Sequence, residues 1–507
     1  MGQARGPARA TGDTIARSTG LAAVSQLSVA AFTAFLTLYL VRVLGPSEYG
    51  IFAVALSVGA LALLPSDLGI SLSAARFIAE RREEPTAAAD ILRDALRLKV
   101  VVGLVVSVAL IVVAEPIAWI YGEPGLVWPI RAVSVAVFGQ GLVLFFQRAF
   151  IALGRVAVGL RIVVSESAFE VGATVTLVML GMGAGGAAFG RATGYLLGTL
   201  VAVVLTVRAL GRRAVAGPGH VREAMRSIAG YAGALLVIEA AYTLFSQIDI
   251  LLVGALLGPA AAGVFQAPVR LATFLGYPGL AIANGVAPRL ARGEAQQPNV
   301  GAFELGMRLL IVFQALALAP LLVWAEPLVD LLLGSEYAES ASVLRALTPY
   351  IFLSGIAPLL ALGVNFLGEA RRRIPLAFAA VTVNTVVCLV LIPEIGVVGG
   401  AIGSSLGYLL YVPAHLVVIR RTLDLSLRPL GATLVRSLLA AAVMAGVLAA
   451  LGTGEVSLPL LAAGAFVGTA AFTLTLYATG ELRRRDVDAV RTVLARRRAA
   501  RSADTGS

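Results

Sequence analysis

The sequence feature that most constrains the fold is an internal repeat whose two copies lie about 213 residues apart. A glycine–proline turn opens the best-matched stretch of each copy, and a proline and an arginine follow at the same spacing. The matched positions are Leu44-Gly45-Pro46 and Leu257-Gly258-Pro259, Gly50 and Gly263, Pro65 and Pro278, and Arg76 and Arg289. A spacing shared by a turn, a kink and a charged residue indicates two copies of one structural unit.

The composition is that of a polytopic helical membrane protein. Of the 507 residues, 59% are hydrophobic and 14% are charged, whereas a typical soluble domain has about 25% charged residues. Apolar runs of roughly 20 residues recur along the chain, which is the length that crosses the hydrocarbon core as a helix. The runs are continuous rather than alternating, which excludes a closed β-barrel. We predict an all-α fold with about 14 transmembrane helices.

The repeat divides these helices into two six-helix bundles followed by two further helices. Later matches support the division: Ala114-Glu115-Pro116 with Ala325-Glu326-Pro327, Arg131 with Arg345, and Gly190 with Gly403. Because each copy has an even number of spans, the bundles are predicted to share one orientation, as in transporters built from parallel repeats. The predicted boundaries are a tail at 1–19, bundles at 20–210 and 228–420 joined by a linker at 211–227, two extra helices at 421–480 and a basic tail at 481–507.

The distribution of arginine sets the predicted orientation. With the N-terminus in the cytoplasm, about 35 of the 40 Lys and Arg residues fall in cytoplasmic loops, tails or adjacent helix ends, as the positive-inside rule requires. Both termini are then predicted to be cytoplasmic. The net charge of +11 follows from the same bias, so it does not indicate nucleic-acid binding.

The sequence contains no pattern that is typical of an enzyme, a metal site or a cofactor site. It lacks a GxxxxGK[ST] phosphate loop, its one cysteine is Cys388, and its two histidines have no metal-ligand spacing around them. Connections between the apolar runs are too short for an external catalytic domain. We predict a protein that is not an enzyme, binds no metal or cofactor and acts as a monomer.

Five arginines depart from the cytoplasmic bias and are the candidate substrate-binding residues: Arg42, Arg131, Arg191, Arg270 and Arg345. A charge inside the membrane costs about 2.5–3.5 kcal/mol on insertion scales, so such residues usually face a cavity. The alternative is that they reach toward the lipid headgroups. Two further arginines, Arg148 and Arg161, lie at cytoplasmic helix ends, where they either meet an anionic headgroup or serve as ordinary topological anchors.

Three acidic residues inside predicted spans are the candidate ion-coupling residues: Glu170, Glu239 and Asp249. Glu170 and Glu239 are predicted near mid-membrane in different copies, which favours a polar cavity and a relay for protons or a cation such as sodium. Asp249 is predicted at the depth of Arg270, so an Asp249–Arg270 ion pair is an alternative role for it.

Two prolines, Pro65 and Pro278, occupy equivalent positions in the second and eighth predicted helices. A proline removes a backbone hydrogen bond and bends a helix. These residues are therefore candidate hinges, or else fixed kinks that only shape packing.

Two six-helix copies followed by two helices resemble the Wzx-type polysaccharide or oligosaccharide flippases of the multidrug/oligosaccharidyl-lipid/polysaccharide exporter (MOP) superfamily. The resemblance is carried by Leu44-Gly45-Pro46-Ser47-Glu48-Tyr49-Gly50, by Asp67-Leu68-Gly69 with Arg76, and by the segment from Asp249 to Gly263, and it covers about residues 15–480. It implies an alternating-access transporter among the lipids of a bacterial or archaeal cell (inner) membrane. The implied substrate is a polyprenyl-(pyro)phosphate-linked oligosaccharide, moved to the outer leaflet through a cationic cavity for surface polysaccharide biosynthesis. It implies no fixed catalytic residues.

Three alternatives remain open. A flippase for the peptidoglycan lipid precursor handles a similar anionic headgroup. A cation-coupled multidrug exporter of the same superfamily requires an acidic, aromatic-lined cavity, whereas the charges here include a basic share. A membrane-bound glycan polymerase or ligase requires a large external loop, which the sequence lacks.

Overall fold

The computed structural model describes residues 8–216, 221–291, 298–454 and 456–482, with side chains described except at 8–27, 85 and 221–235. In these ranges the chain is helical and has no strand. The helices are α1 (Ala8–Asp67), α2 (Ile70–Glu80), α3 (Pro85–Ile120), α4 (Val127–Ala152), α5 (Val156–Met179), α6 (Gly183–Leu210), α7 (Val221–Leu257), α8 (Pro259–Val286), α9 (Val300–Val323), α10 (Ala325–Leu332), α11 (Ser340–Ala346), α12 (Thr348–Phe366), α13 (Arg373–Ile395), α14 (Val397–Leu423), α15 (Arg428–Ala450) and α16 (Leu458–Ala478).

Twelve of the described helices are long and apolar enough to cross a membrane. The first of them, Ser28–Asp67, belongs to α1, which is interrupted at Gly45 (φ 67°, ψ 175°) and therefore contains two spans. Another helix, α8, is also 28 residues long, but it is not among these twelve, so the number of about 14 spans stays a prediction. Helices satisfy their own backbone hydrogen bonds, which hydrocarbon requires. The predicted all-α polytopic class is confirmed.

The two candidate hinge prolines have different surroundings. After Pro65, α1 ends at Asp67, and Leu68 (φ 44°) and Gly69 (φ 73°) take the left-handed conformation before α2 begins. By contrast, α8 continues without a break through Pro278 to Val286. The helix break therefore follows only the first proline, and hinge motion at either position stays a prediction.

By its internal contacts the chain forms two units. The first unit comprises Met1–Phe274, Leu332–Val343 and Arg373–Gly407, and the second comprises Leu275–Leu331, Leu344–Arg372 and Tyr408–Ser507. In the first unit, a buried cluster that includes Ile78, Leu92 and Phe146 joins α2, α3, α4 and α6. In the second unit, Trp324 and Leu448 belong to a cluster that joins α9, α15 and α16.

Within the first unit, the two copies of the glycine–proline turn pack directly against each other. A methyl group added at Gly50 would overlap the carbonyl oxygen of Pro259, and one added at Gly263 would overlap the carbonyl oxygen of Pro46. The contact is therefore reciprocal, as at a twofold interface. Only glycine permits backbones to approach this closely, which explains why both copies carry it.

Near the C-terminal end of the described residues, Glu481 links the end of α16 to α9 and α15 in the second unit through hydrogen bonds. Its carboxylate accepts hydrogen bonds from Arg308 (2.6 Å), Thr433 (2.8 Å) and Arg436 (3.1 Å). Glu481 is 3% exposed. Burial raises the pKa of Glu481, but the hydrogen bonds from these three residues outweigh burial and hold the pKa below its ordinary value of 4.5.

The exchange Gly50→Ala is expected to lower the unfolding temperature of the purified protein in detergent. The added methyl has no room beside the Pro259 carbonyl, and overpacking of this kind costs about 1–3 kcal/mol. The matched control is Gly172→Ala on α5, where no atom lies within 4 Å of the added methyl. Since alanine is the better helix former, the control should leave the unfolding temperature unchanged or raise it. Equal effects of the two exchanges would contradict the close contact.

The exchange Glu481→Gln is expected to destabilise the protein at neutral pH by roughly 1–3 kcal/mol. The loss is smaller than for breaking a fully buried ion pair, because the arginine partners of Glu481 are partly exposed. A lowered pKa means that folding favours the charged carboxylate. Its contribution is therefore complete above about pH 4.5 and is lost as the pH falls through the lowered pKa. Thermal unfolding against pH should show wild type and variant converging in acid. A constant difference between them down to pH 3 would refute this role of the charge.

Candidate functional site

A cavity of about 220 Å³ lies in the first unit, where α1, α2, α3, α4 and α7 meet. Four ionisable side chains line it among mainly apolar neighbours: Asp67 at the end of α1, Lys99 on α3, Arg148 on α4 and Glu239 on α7. A mostly apolar wall with a few converging polar groups is the usual form of a ligand site.

The helix break after α1 places two acceptors in this cavity. Because α1 stops at Asp67, the carbonyl of Ser66 and the carboxylate of Asp67 are turned toward α3. Both accept from the ammonium of Lys99, at 3.0 Å and 2.7 Å respectively. On α4, a methyl group at Gly141 would come within 2.9 Å of the Lys99 nitrogen. Glycine at that position therefore leaves room for the ammonium group.

The two cations of the cavity differ in how firmly they are held. Lys99 is 1% exposed and is bound by Asp67 and a carbonyl. Asp67 also accepts a hydrogen bond from Ser71. Arg148 has a half-exposed side chain and lies 3.9 Å from Asp67, at the outer limit of an ion pair. Since a guanidinium carries five donors, Arg148 is the group of this cavity best placed to bind an incoming anion.

None of the five predicted substrate-binding arginines lines this cavity. Two of them form ion pairs with acidic residues instead. Arg131 binds Glu115 at 2.6 Å in the first unit, and Arg345 binds Glu326 at 3.1 Å in the second. The two pairs occupy equivalent positions in the repeat. Ion pairs as exposed as these contribute about 0–1 kcal/mol to the stability of the fold. They link neighbouring helices, and their arginines do not present an unpaired charge.

The other three arginines also have partners. Arg191 binds Glu170 at 2.5 Å and the hydroxyl of Tyr195 at 3.1 Å. Arg42 donates to the carbonyl of Leu332 at 3.2 Å. The assignment of all five arginines to substrate binding stays a prediction.

The fifth arginine, Arg270 on α8, is hydrogen-bonded to Tyr49, a buried residue of the first glycine–proline turn. It does not pair with Asp249. The carboxylate of Asp249 instead accepts hydrogen bonds from Asn384 and Ser404. The alternative of an Asp249–Arg270 ion pair is therefore wrong, and Asp249 is left in a cluster of neutral groups.

This cluster and the Glu170–Arg191 pair stand at equivalent positions of the repeat, 213 or 214 residues apart. The equivalent positions are Glu170 and Asn384, Arg191 and Ser404, and Gly194 and Gly407. Gly194 packs on the backbone of Glu170, whereas Gly407 packs first on the ring of Phe245 and then on Asn384. The first copy therefore holds an internal cation at this position, whereas the second holds a hydroxyl group beside a buried carboxylate.

Glu239, predicted to lie in a polar cavity, is in the wall of the cavity described here. Lys99 was not among the predicted site residues, because a lysine at the predicted start of a span is usually an interfacial anchor. Two signals for it were present. Lys99 is the only lysine of the chain, and Asp67 belongs to a stretch that carries the family resemblance.

Comparisons with known proteins agree with this architecture. The family described as polysaccharide biosynthesis protein matches residues 39–342, which is more than half of the 507 residues. No curated protein matches the chain in sequence.

Among solved structures, the lipid II flippase MurJ in an inward closed conformation is similar, with a TM-score of 0.74 at 10% identity over 89% of this chain and 97% of that chain. An inward-facing multidrug resistance MATE family transporter of the MOP superfamily has a TM-score of 0.61 at 14% identity, over 78% of this chain and 99% of that chain. An outward-facing one has a TM-score of 0.56 at 17% identity, over 82% of this chain and 96% of that chain. At these identities the likeness shows a shared fold. The chain is a multi-pass membrane protein that belongs to the polysaccharide biosynthesis protein family and has the fold of MOP superfamily transporters.

Proposed function

We propose that this protein is a flippase that moves a polyprenyl-(pyro)phosphate-linked oligosaccharide from the inner to the outer leaflet by alternating access. It would act as a monomer in a bacterial or archaeal cell membrane, with both termini in the cytoplasm. The observation that carries the proposal is the cavity in which a buried Lys99–Asp67 pair lies beside the half-exposed guanidinium of Arg148.

The chemistry of this cavity fits a phosphate headgroup. Asp67 neutralises Lys99, so the positive charge available to a ligand is that of Arg148. A guanidinium binds phosphate oxygens through parallel charge-assisted hydrogen bonds, and such bonds are stronger where few waters compete. On binding, the phosphate would replace the 3.9 Å contact of Arg148 with Asp67, while Lys99 keeps its carboxylate. Glu239, on the facing helix, would disfavour a substrate that carries more negative charge than these cations offset.

The second unit offers a surface that fits the polyprenyl tail. An almost wholly apolar groove of about 470 Å³ lies between α9, α15 and α16. Trp324 lines it and donates its indole N–H to the carbonyl of Gly452 at 2.9 Å. Trp324 is 2% exposed, so its ring is part of the packed wall of the groove. A branched hydrocarbon needs no polar partner, so an apolar groove of this kind is chemically suited to a lipid tail.

Alternating access requires a contact that breaks when the transporter opens to the other side. The reciprocal packing of Gly50 on Pro259 and Gly263 on Pro46 suits this role, because it joins the two copies of the repeat through small backbone surfaces. We propose that these turns separate when the substrate leaves toward the outer leaflet.

We assign ion coupling to Asp249. Its carboxylate is buried, and every hydrogen-bond partner described for it is neutral. A buried carboxylate without a cationic partner is stable when it binds a proton or a monovalent cation. The hydroxyl of Ser404 and the nearby carbonyl of Gly400, to which Ser404 donates at 3.2 Å, supply further oxygen atoms of the kind that sodium prefers. Glu170 is another ion-coupling candidate, but its carboxylate is already neutralised by the guanidinium of Arg191.

The second candidate function is transport of the peptidoglycan lipid precursor, which the fold likeness to a lipid II flippase favours. That substrate also carries a diphosphate, so it would present a similar anionic group to Arg148. A multidrug exporter is less compatible with a cavity whose ligand-facing group is an arginine.

The exchange Arg148→Ala is expected to reduce export at least tenfold, since it removes the proposed phosphate contact. Surface glycan and the accumulation of lipid-linked oligosaccharide at the inner leaflet measure export, with protein level followed by immunoblot. The control is Arg161→Ala, an exposed arginine near the same helix ends that does not line the cavity. Wild-type export by the Arg148 variant at normal protein level would refute the proposed headgroup site.

Genetic complementation separates the two substrates. The proposal expects the wild-type gene to rescue a strain that lacks an oligosaccharide flippase. Rescue only of a strain that lacks the peptidoglycan precursor flippase would establish the second candidate instead.

The exchange Asp249→Asn is expected to abolish the stimulation of flipping by an ion gradient in reconstituted vesicles, while uncoupled exchange of substrate between leaflets persists. Imposing a sodium gradient and a pH gradient separately identifies the ion. The matched control is Glu115→Gln, which alters an exposed carboxylate of α3 and should leave both responses intact. A variant that still responds fully to the coupling gradient would show that Asp249 does not carry the ion.

A further inference from the structure

A second acidic residue on α5, Glu166, lies one helical turn before Glu170 and has no role in the function proposed above. Both side chains face α6. A methyl group at Gly198 would meet the Glu166 side chain at 2.6 Å, and Gly194 is equally close to Glu170. The close helix packing leaves Glu166 5% exposed, so its carboxyl group has little contact with lipid or bulk water.

The hydrogen bonds of Glu166 do not satisfy an ionised carboxylate. One oxygen, Oε2, accepts from the Ser167 hydroxyl at 3.2 Å. The other oxygen, Oε1, is buried and has no hydrogen-bond partner among the described residues. A charged carboxylate with one long hydrogen bond is costly in a low-dielectric interior, whereas a protonated carboxyl is not.

The charges that face Glu166 lead to the same conclusion. On its own helix it faces Glu170, and α6 presents Arg191 and Tyr195. The other elements at the adjoining cavity contribute neutral side chains, Gln140 and Gln147 from α4 and Val29 from α1. The site therefore holds two carboxyl groups and one guanidinium. Arg191 is committed to Glu170 at 2.5 Å, so one proton is needed for neutrality and Glu166 is the group left to hold it.

A route for that proton is visible in the structure. A cavity of about 390 Å³ adjoins Glu166 and continues along α4 and α5 to Ile151 and Val156, which flank the turn between these helices. Residues Val156, Gly159, Val163 and Glu166 follow at intervals of three or four, so they share the face of α5 that lines this cavity. The two glutamines in the wall are suitable hydrogen-bond partners for water.

We propose that Glu166 is a proton-binding site, which accepts a proton on Oε1 from the α4–α5 cavity and is held neutral by the Glu170–Arg191 pair. Loss of that proton would leave two carboxylates competing for one guanidinium, and Arg191 would then be drawn from Glu170 toward Glu166. Proton binding is a property of the folded chain alone, whereas its use in coupling rests on the proposed transport function.

Infrared difference spectroscopy of the purified full-length protein tests this, because a protonated carboxyl has a C=O stretching band separate from that of a carboxylate. At neutral pH, Glu166→Gln is expected to remove such a band, and Glu115→Gln, at an exposed ion-paired carboxylate, is expected to remove none. Arg191→Gln is expected to increase the band, because both carboxyl groups then lack a cation. A spectrum in which Glu166→Gln leaves the protonated band unchanged would overturn the proposal.

A flipping assay in vesicles separates this proposal from the proposed function. If wild type flips the lipid-linked oligosaccharide, the rate should depend on the pH of the medium that reaches the α4–α5 turn, and Glu166→Gln should remove at least half of that dependence. If wild type flips no such lipid while Glu166→Gln still removes the infrared band, the proton site stands and the proposed substrate is wrong. If Arg191→Gln does not fold, the Glu166 and Glu115 variants decide the outcome.

Discussion

The cost of placing a charge in hydrocarbon governs where this protein keeps its ionisable groups. Each of the five arginines that depart from the cytoplasmic bias has a hydrogen-bond partner, and three of those partners are carboxylates. The same cost explains the Lys99–Asp67 pair and the placement of Arg148 at the wall of a cavity. A charge that is paired within the helices holds them together, and a charge that borders a cavity is free to meet a ligand. This distinction, rather than the depth of a residue in the membrane, separates structural from candidate functional arginines here.

The two copies of the repeat share a close backbone contact and differ in some of their polar groups. Glycine at equivalent positions permits close approach of the backbones in both copies, as at Gly50 and Gly263. Polar groups elsewhere have diverged, since Arg191 in the first copy corresponds to Ser404 in the second. Packing of the backbone is demanding because a single methyl group disrupts it, whereas a polar group is tolerated when its neighbours change with it. One architecture therefore carries two electrostatically different sites.

Most of the fold was predictable from the sequence, because its signals are local or periodic. Apolar runs of membrane-spanning length, the arginine bias and the repeat are all read from position alone. The site was less predictable, because sequence gives the depth of a residue on a helix but not the neighbour that it faces. For example, the sequence positions of Arg131 and Arg345 do not reveal that each forms an ion pair with a carboxylate on an adjacent helix, Glu115 and Glu326 respectively. Lys99 looked like an interfacial anchor because the start of α3 lies 14 residues before it, at Pro85, earlier than the apolar run suggests.

The solitary lysine has a practical consequence. Acylating reagents attack unprotonated side-chain amines, and Lys99 is the only such amine in the sequence. With 1% of its surface exposed, it reacts only when the surrounding helices admit the reagent. The yield of acylation at Lys99, read by peptide mass spectrometry, would therefore report how often the cavity opens to the reagent. The modification would also leave Asp67 without its counter-ion, so the reaction would mark the open molecules and alter their electrostatics in one step.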